Sequence, residues 1–185
     1  MGKGFLAADS LLGEDLGDLI QQACTRWHLN VRLDAIVNDS SATLLSKAYS
    51  NPPTPYALIL GTGVNIAAHL PISTISPGKL GARPPSTTHV IVNTELGMFG
   101  KGILPMTRWD IQLNAEHALP DFQPLELLVG GRYLGEIARL VLLDAIRSAN
   151  AFDGIVPLSL QEPYSMDTEF LATIQKYAIS QFLSP

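Results

Sequence analysis

With 185 residues the chain is long enough to bury a sizeable core, and 46% hydrophobic against 16% charged residues with mean hydropathy +0.20 excludes wholesale disorder. Twelve Lys and Arg against 17 Asp and Glu, a formal charge of −5 with no basic cluster, argue against nucleic acid as a partner. Apolar runs such as Tyr56 to Leu60 fall far short of the roughly 20 residues that span a bilayer, so no membrane is expected, and the single Cys24 suits a reducing cytoplasm.

Along the chain, Leu16, Leu19, Ile20 and Cys24 recur at helical spacing behind an acidic entry, which predicts a helix over about 14–27 with its apolar stripe in the core. Val31, Leu33, Ala35 and Val37 then alternate as in a strand that ends at Asn38-Asp39, and a second helix is expected over about 41–49. The run Asn51-Pro52-Pro53-Thr54-Pro55 must stop it, because proline lacks the N–H donor and its ring clashes with the preceding turn. Tyr56 to Leu60 and Val64 to Leu70, joined by Gly61-Thr62-Gly63, predict an antiparallel hairpin. A proline- and glycine-rich loop over 73–88 leads to a short strand, Val90 to Val92. Beyond Gly130-Gly131, the series Tyr133, Leu134, Ile137, Leu140, Val141, Ile146 predicts a long half-buried helix, and Met166 to Tyr177 a terminal one.

Several chemistries lack their apparatus. One cysteine and no histidine pair at ligand spacing argue against structural zinc, and neither a Gly-x-Ser-x-Gly elbow, a Walker loop nor Gly-x-Gly-x-x-Gly occurs. What remains are amides and carboxylates at the ends of predicted elements: Asn38, Asp39, Asn65, Asn93, Glu95 and Glu126. Such groups suit a polyhydroxyl ligand, since each sugar hydroxyl both donates and accepts. Singly, each has a plainer reading. Gly61-Thr62-Gly63 serves as well for a hairpin turn as for a phosphate cradle, Asn38-Asp39 as a helix cap, Asn93 to Glu95 as a turn, and Glu126 as the wet side of a helix. His69, His89 and His117 read as ordinary histidines, Arg132 and Arg139 as solvated, and Phe99 and Trp109 as packing anchors.

Five strings in unbroken order resemble the hexokinase family, ATP-dependent sugar kinases, and look most like its fungal members. They are Lys3-Gly4-Phe5, Val37-Asn38-Asp39-Ser40, Gly61-Thr62-Gly63-Val64-Asn65, Asn93-Thr94-Glu95-Leu96-Gly97-Met98-Phe99-Gly100, and Gly131-Arg132-Tyr133-Leu134-Gly135-Glu136 running into Arg139 to Leu143. The likeness runs from Lys3 to about Ile174. It implies an α/β chain of the actin-like ATPase or ribonuclease H-like fold, in part: residues 1–38 as the end of the small lobe and 39–185 as part of the large one. It also implies transfer of phosphate from ATP, with Mg²⁺, to a hexose such as glucose, mannose or fructose. In that reading Asp39 is the base for the sugar 6-hydroxyl, Lys3, Asn38, Asn65, Glu95 and Glu126 bind sugar, and Gly61, Thr62 and Gly63 hold the transferring end of ATP. The family's first phosphate loop of the form Asp-Leu-Gly-Gly-Thr-Asn, its Ser-Phe-Pro stretch and its adenosine-binding Gly-rich region have no counterpart in this sequence. Weak or absent turnover by the chain alone is therefore the expectation, with a non-catalytic hexose-binding regulator or a non-functional fragment as the alternatives.

Overall fold

The computed structural model describes residues 11, 13–80 and 86–182. In chain order they form α1 (Leu16–Arg26), α2 (Asp39–Ser50), β1 (Tyr56–Leu60), β2 (Val64–Pro71), β3 (His89–Asn93), α3 (Arg108–Glu116), α4 (Pro124–Val129), α5 (Gly131–Ala149) and α6 (Thr168–Phe182), with short 3₁₀ turns between them. Among these residues no helix is long and apolar enough to cross a membrane.

The three strands make one antiparallel sheet in the order β1-β2-β3, with Leu60 opposite Val64, Ala57 opposite Ala67, and Ala67 opposite Asn93. Because side chains alternate across a strand, Ala57 and Ala67 share one face, and α2 lies on it through Leu44. The two alanines let the helix come close. The opposite face carries Val64, which is buried, and Tyr56, Leu58 and Leu60, which are exposed. Asn38 begins α2 by accepting from Ser40 N–H (3.0 Å), and the Pro52-Pro53 stop follows directly on its C-cap, Asn51.

Two apolar clusters hold the helical layer. Leu113, Leu127, Tyr133 and Leu140 join α3, α4 and α5, with Trp109 packed against them. Leu143 and Ile146 meet Leu160 and Met166, from the segment leading into α6, and Leu171 of α6 itself. Burial, and after it the nearby Glu126 carboxylate, pushes the Tyr133 phenol above its ordinary pKa.

The hairpin, β3, α2, α5 and α6 follow the sequence reading. Four expectations need correction. The apolar stripe of α1 is not core: no residue of this helix is buried, because no second layer packs on it among the described residues. Residues 31–37 are not a strand, since among the described residues no neighbouring strand completes a ladder for them; instead the Gln21 side chain bonds Val31 O (3.0 Å) and Leu33 N–H (2.8 Å). Phe99 is exposed rather than a packing anchor. Arg139 is not solvated: Arg132 is exposed, but the segment around Leu160 to Tyr164 crosses α5 at Arg139 and buries it.

There Arg139 donates to both oxygens of Glu136 (2.7 and 2.6 Å) and to Leu160 O (2.9 Å), while Glu136 also accepts from Tyr164 N–H (2.6 Å). The Glu136 hydrogen bonds come first among the causes that hold the guanidinium pKa above its usual value. Removing one partner of a buried pair strands the other charge, at a cost of roughly 3–5 kcal/mol. Arg139→Met is expected to lose about that much in urea unfolding, and Glu136→Gln/Arg139→Met clearly less; equal losses would show that charge stranding is not the cause.

Candidate functional site

Asn65 is the hub of a polar cluster where α2, the hairpin and the end of β3 meet. It sits on the α2 side of the sheet, one residue past the buried Val64. Its Nδ2 donates to Asn93 Oδ1 (2.7 Å) and, at 3.3 Å each, to Asn38 Oδ1 and Ser40 Oγ. Its Oδ1 accepts from the N–H groups of Ile66 (2.8 Å) and Leu96 (3.3 Å). Ser40 is fully buried and donates its hydroxyl to Asn38 Oδ1 (2.6 Å). The amide of one asparagine thus ties its own strand to two stretches, through Asn38 and Asn93, that are 27 and 28 residues away along the chain.

Asn93 passes the network on, its Nδ2 donating to Glu95 Oε1 (2.7 Å). Glu95 adopts left-handed backbone (φ 51°, ψ 47°), an unfavourable conformation for a non-glycine residue. It is held there by its neighbours: Thr94 bonds Ile66 O through both N–H (3.0 Å) and hydroxyl (2.8 Å), and Leu96 N–H is taken by Asn65. Gly97 follows, and a Cβ there would stand 3.2 Å from Val64 O and 3.3 Å from Glu126 Cβ, so the turn needs its missing side chain to close on α4.

Asp39 is the first residue of α2, exposed, with Oδ1 accepting from Ser40 N–H (2.8 Å). Glu126 is not on the wet side of its helix. It is 1% exposed and accepts from Val64 N–H (3.0 Å), which fixes the backbone just ahead of Asn65. The turn Gly61-Thr62-Gly63 is braced from the other side: Gly131 N–H donates to Gly61 O (2.7 Å) and Arg132 N–H to Thr62 O (3.1 Å). These carbonyls satisfy first-turn donors of α5 that would otherwise have no acceptor, for no side chain caps the helix.

Asn38, Asn65 and Glu95 are therefore brought together with Asp39 at their rim, and Glu126 and the Gly61 to Gly63 turn meet the same hairpin. Lys3 lies outside the described residues. Ser40 was not singled out from sequence, and Asn93, noted there as a polar group at an element end, was given no role of its own. Both stand inside the strings Asn38-Asp39-Ser40 and Asn93-Thr94-Glu95, where their hydrogen-bonding side chains at element ends were the available signal.

Comparison with known proteins decides the family. A family model described as Hexokinase matches residues 56–183, and a second with the same description matches residues 1–49. The chain belongs to the hexokinase family. Among curated hexokinases, Hexokinase-1 of Arabidopsis thaliana is 37% identical over 172 residues, 93% of this chain and 34% of that protein. Hexokinase-1 of Saccharomyces cerevisiae is 34% identical over 167 residues, 88% of this chain and 34% of that protein. A solved Schistosoma mansoni hexokinase complexed with glucose superposes with TM-score 0.82 at 32% identity, covering 92% of this chain and 38% of that one. The fold is thus a partial actin-like ATPase fold of mixed helix and sheet, and the chain spans about a third of the length of the curated hexokinases it matches.

The Asn65 hub gives this hexokinase-family cluster a direct stability test. Asn65→Ala would leave Asn93 Oδ1 without its donor and Leu96 N–H without its acceptor, both where water reaches part of the group, an expected cost of about 0.5–1.5 kcal/mol in chemical denaturation. A loss below about 0.5 kcal/mol would show that the cluster does not depend on the hub.

Proposed function

We propose that this chain carries the hexose site and the base of an ATP:hexose phosphotransferase that yields hexose 6-phosphate and ADP. The observation that carries the reading is the Asn65 cluster, which gathers Asn38, Asn93 and Glu95 beside Asp39 in a chain of the hexokinase family. Asn38, Asn65, Glu95 and Glu126 bind sugar hydroxyls, with Lys3 reaching the sugar from the small lobe. A glucose complex of the Schistosoma mansoni relative supports a hexose as the ligand.

Asp39 takes the proton of the 6-hydroxyl as that oxygen forms its bond to the γ-phosphorus, while the bond from γ-phosphorus to the β,γ-bridging oxygen breaks and ADP leaves. An exposed carboxylate on the first turn of a helix packed against the sheet suits that task, because the sheet fixes where the turn stands.

Gly61, Thr62 and Gly63 fit a phosphate. With the Gly61 and Thr62 carbonyls turned toward α5, the outer side of the turn is left for an anion, and nothing stands within 4 Å of where a Gly61 Cβ would lie. Among the described residues no three His, Cys, Asp or Glu gather to hold a metal. Mg²⁺ carried on the phosphates would neutralise charge on their oxygens.

We further take residues 1–38 as the end of the small lobe and 39–185 as part of the large lobe. The support is that α2 packs on the sheet through Leu44 whereas α1 buries nothing. The single Cys24 suits a cytoplasmic setting.

Glucose titration calorimetry beside a coupled assay for hexose 6-phosphate tests the reading. Asp39→Ala is expected to leave glucose affinity within about threefold and to reduce any turnover by about 10²–10⁴-fold, the range for a lost general base. Glu95→Ala is expected to weaken glucose binding by about tenfold or more, the loss of roughly one charged hydrogen bond. Glucose binding without turnover would favour the regulator; no hexose binding at all would overturn the proposal.

A further inference from the structure

In an uninterrupted α-helix the N–H of residue 135 donates to the carbonyl of residue 131. Here the hydroxyl of Thr168, from the first residue of α6, also bonds both groups within a helix that is continuous from Gly131: it accepts from Gly135 N–H (2.9 Å) and donates to Gly131 O (2.5 Å). The helix starts with Gly130 O accepting from both Tyr133 N–H (2.9 Å) and Leu134 N–H (3.3 Å).

This first turn of α5 is also the one that holds the Gly61 to Gly63 loop. A single peptide plane, between Gly131 and Arg132, accepts from Thr168 at its carbonyl and donates to Thr62 O at its N–H (3.1 Å). Peptide planes are rigid, so the hydroxyl of Thr168 and the carbonyl of Thr62 are coupled through one stiff unit, and the two bonds polarise one another. Nothing soft lies between them.

Thr168 is itself held in place. Gly135 faces the chain just before it so closely that a Cβ would lie 2.1 Å from Met166 O and 2.9 Å from Thr168 N. Glu136 and Arg139 tie the same strap to α5 at Tyr164 and Leu160. The strap, the first turn of α5 and the loop form one chain of contacts.

We propose that Thr168 is a positioning residue for the Gly61-Thr62-Gly63 loop, acting by fixing the peptide between Gly131 and Arg132 so that the Gly131 and Arg132 amides hold the loop carbonyls. Its consequence for phosphate binding rests on the function proposed above, whereas the mechanical coupling does not.

The test therefore has two readouts on the full chain: amide exchange by NMR, and affinity for inorganic tripolyphosphate. In Thr168→Val, which keeps the shape but removes the hydroxyl, exchange at Gly131 and Arg132 is expected to speed up at least tenfold, with shifted Thr62 and Gly63 resonances and at least fivefold weaker tripolyphosphate binding. Thr168→Ser should restore both. Ile146→Val, which loosens the distant apolar cluster, should leave the relative protection at Gly131 and Arg132 unchanged. Should the valine variant not fold, Thr168→Cys keeps the size with a far weaker hydrogen-bonding group and should show a smaller change in the same direction. Unchanged exchange at Gly131 and Arg132 in the valine or cysteine variant, or no rescue by serine, would overturn the proposal. Altered exchange with no tripolyphosphate binding even by the parent chain would keep the coupling and instead count against the phosphate role of the loop.

Discussion

Two backbone hydrogen bonds, from Gly131 N–H to Gly61 O and from Arg132 N–H to Thr62 O, join the sheet to the helical layer at the point where the hairpin turns. A third connection lies beside them, the buried Glu126 carboxylate on Val64 N–H. Together they fix three successive stretches of the hairpin backbone from outside the sheet. Asn65 comes next along the chain, so its side chain leaves a backbone that cannot shift without breaking bonds to α4 and α5. That is why one amide can serve as a hub for Asn38, Ser40 and Asn93. A hub on a mobile strand would scatter the same polar groups and lose their hydrogen bonds to water.

The glycines at this junction are a packing requirement. A Cβ on Gly130 would meet Glu126 O at 2.7 Å, and one on Gly131 would meet Gly61 O at 2.9 Å. Both are distances a side chain does not tolerate, so the approach of α5 to the turn depends on two adjacent residues without side chains. The helix also gains by it. Its first-turn donors find carbonyl partners where no Ser, Thr, Asp or Asn cap is available.

What the sequence disclosed follows the range of the interactions involved. The hairpin, the proline stop after α2 and the long α5 rest on local rules, alternation, a missing donor and a 3.6-residue period, and they were legible. α3 and α4 carried local signals that periodicity does not register: Thr107 and Asp110 form a capping box, and Pro124 opens α4. The gathering of Asn38, Asn65 and Glu95 was accessible only through resemblance, for nothing local says that residues 27 apart will touch. Arg139 shows the limit from the other side. Its helical position is shared with Arg132 seven residues earlier, and only the strap from Leu160 to Tyr164, invisible to periodicity, buries one and leaves the other in water.

The misread elements, α1 and residues 31–37, share a cause with an oddity of β1. Amphipathic patterning records which side of a segment is meant to be covered, not what covers it. Leu16 and Ile20 on α1, Val31, Ile36 and Val37 after it, and Tyr56, Leu58 and Leu60 on β1 are all exposed. β1 is the edge of the sheet among the described residues, yet it carries none of the devices that protect a terminal edge: no charge, no proline and no bulge within Tyr56 to Leu60. It is built as an interior strand, apolar on its outward face and regular in its register with β2. The same holds for 31–37, whose alternation suits a ladder although only the Gln21 side chain bonds it here. An alternating apolar segment without a neighbour is stable only as far as its few side-chain contacts allow. By that reasoning α2, the sheet and α3 to α6 are the firm part of the described residues, and Gly13 to Val37 the least secured.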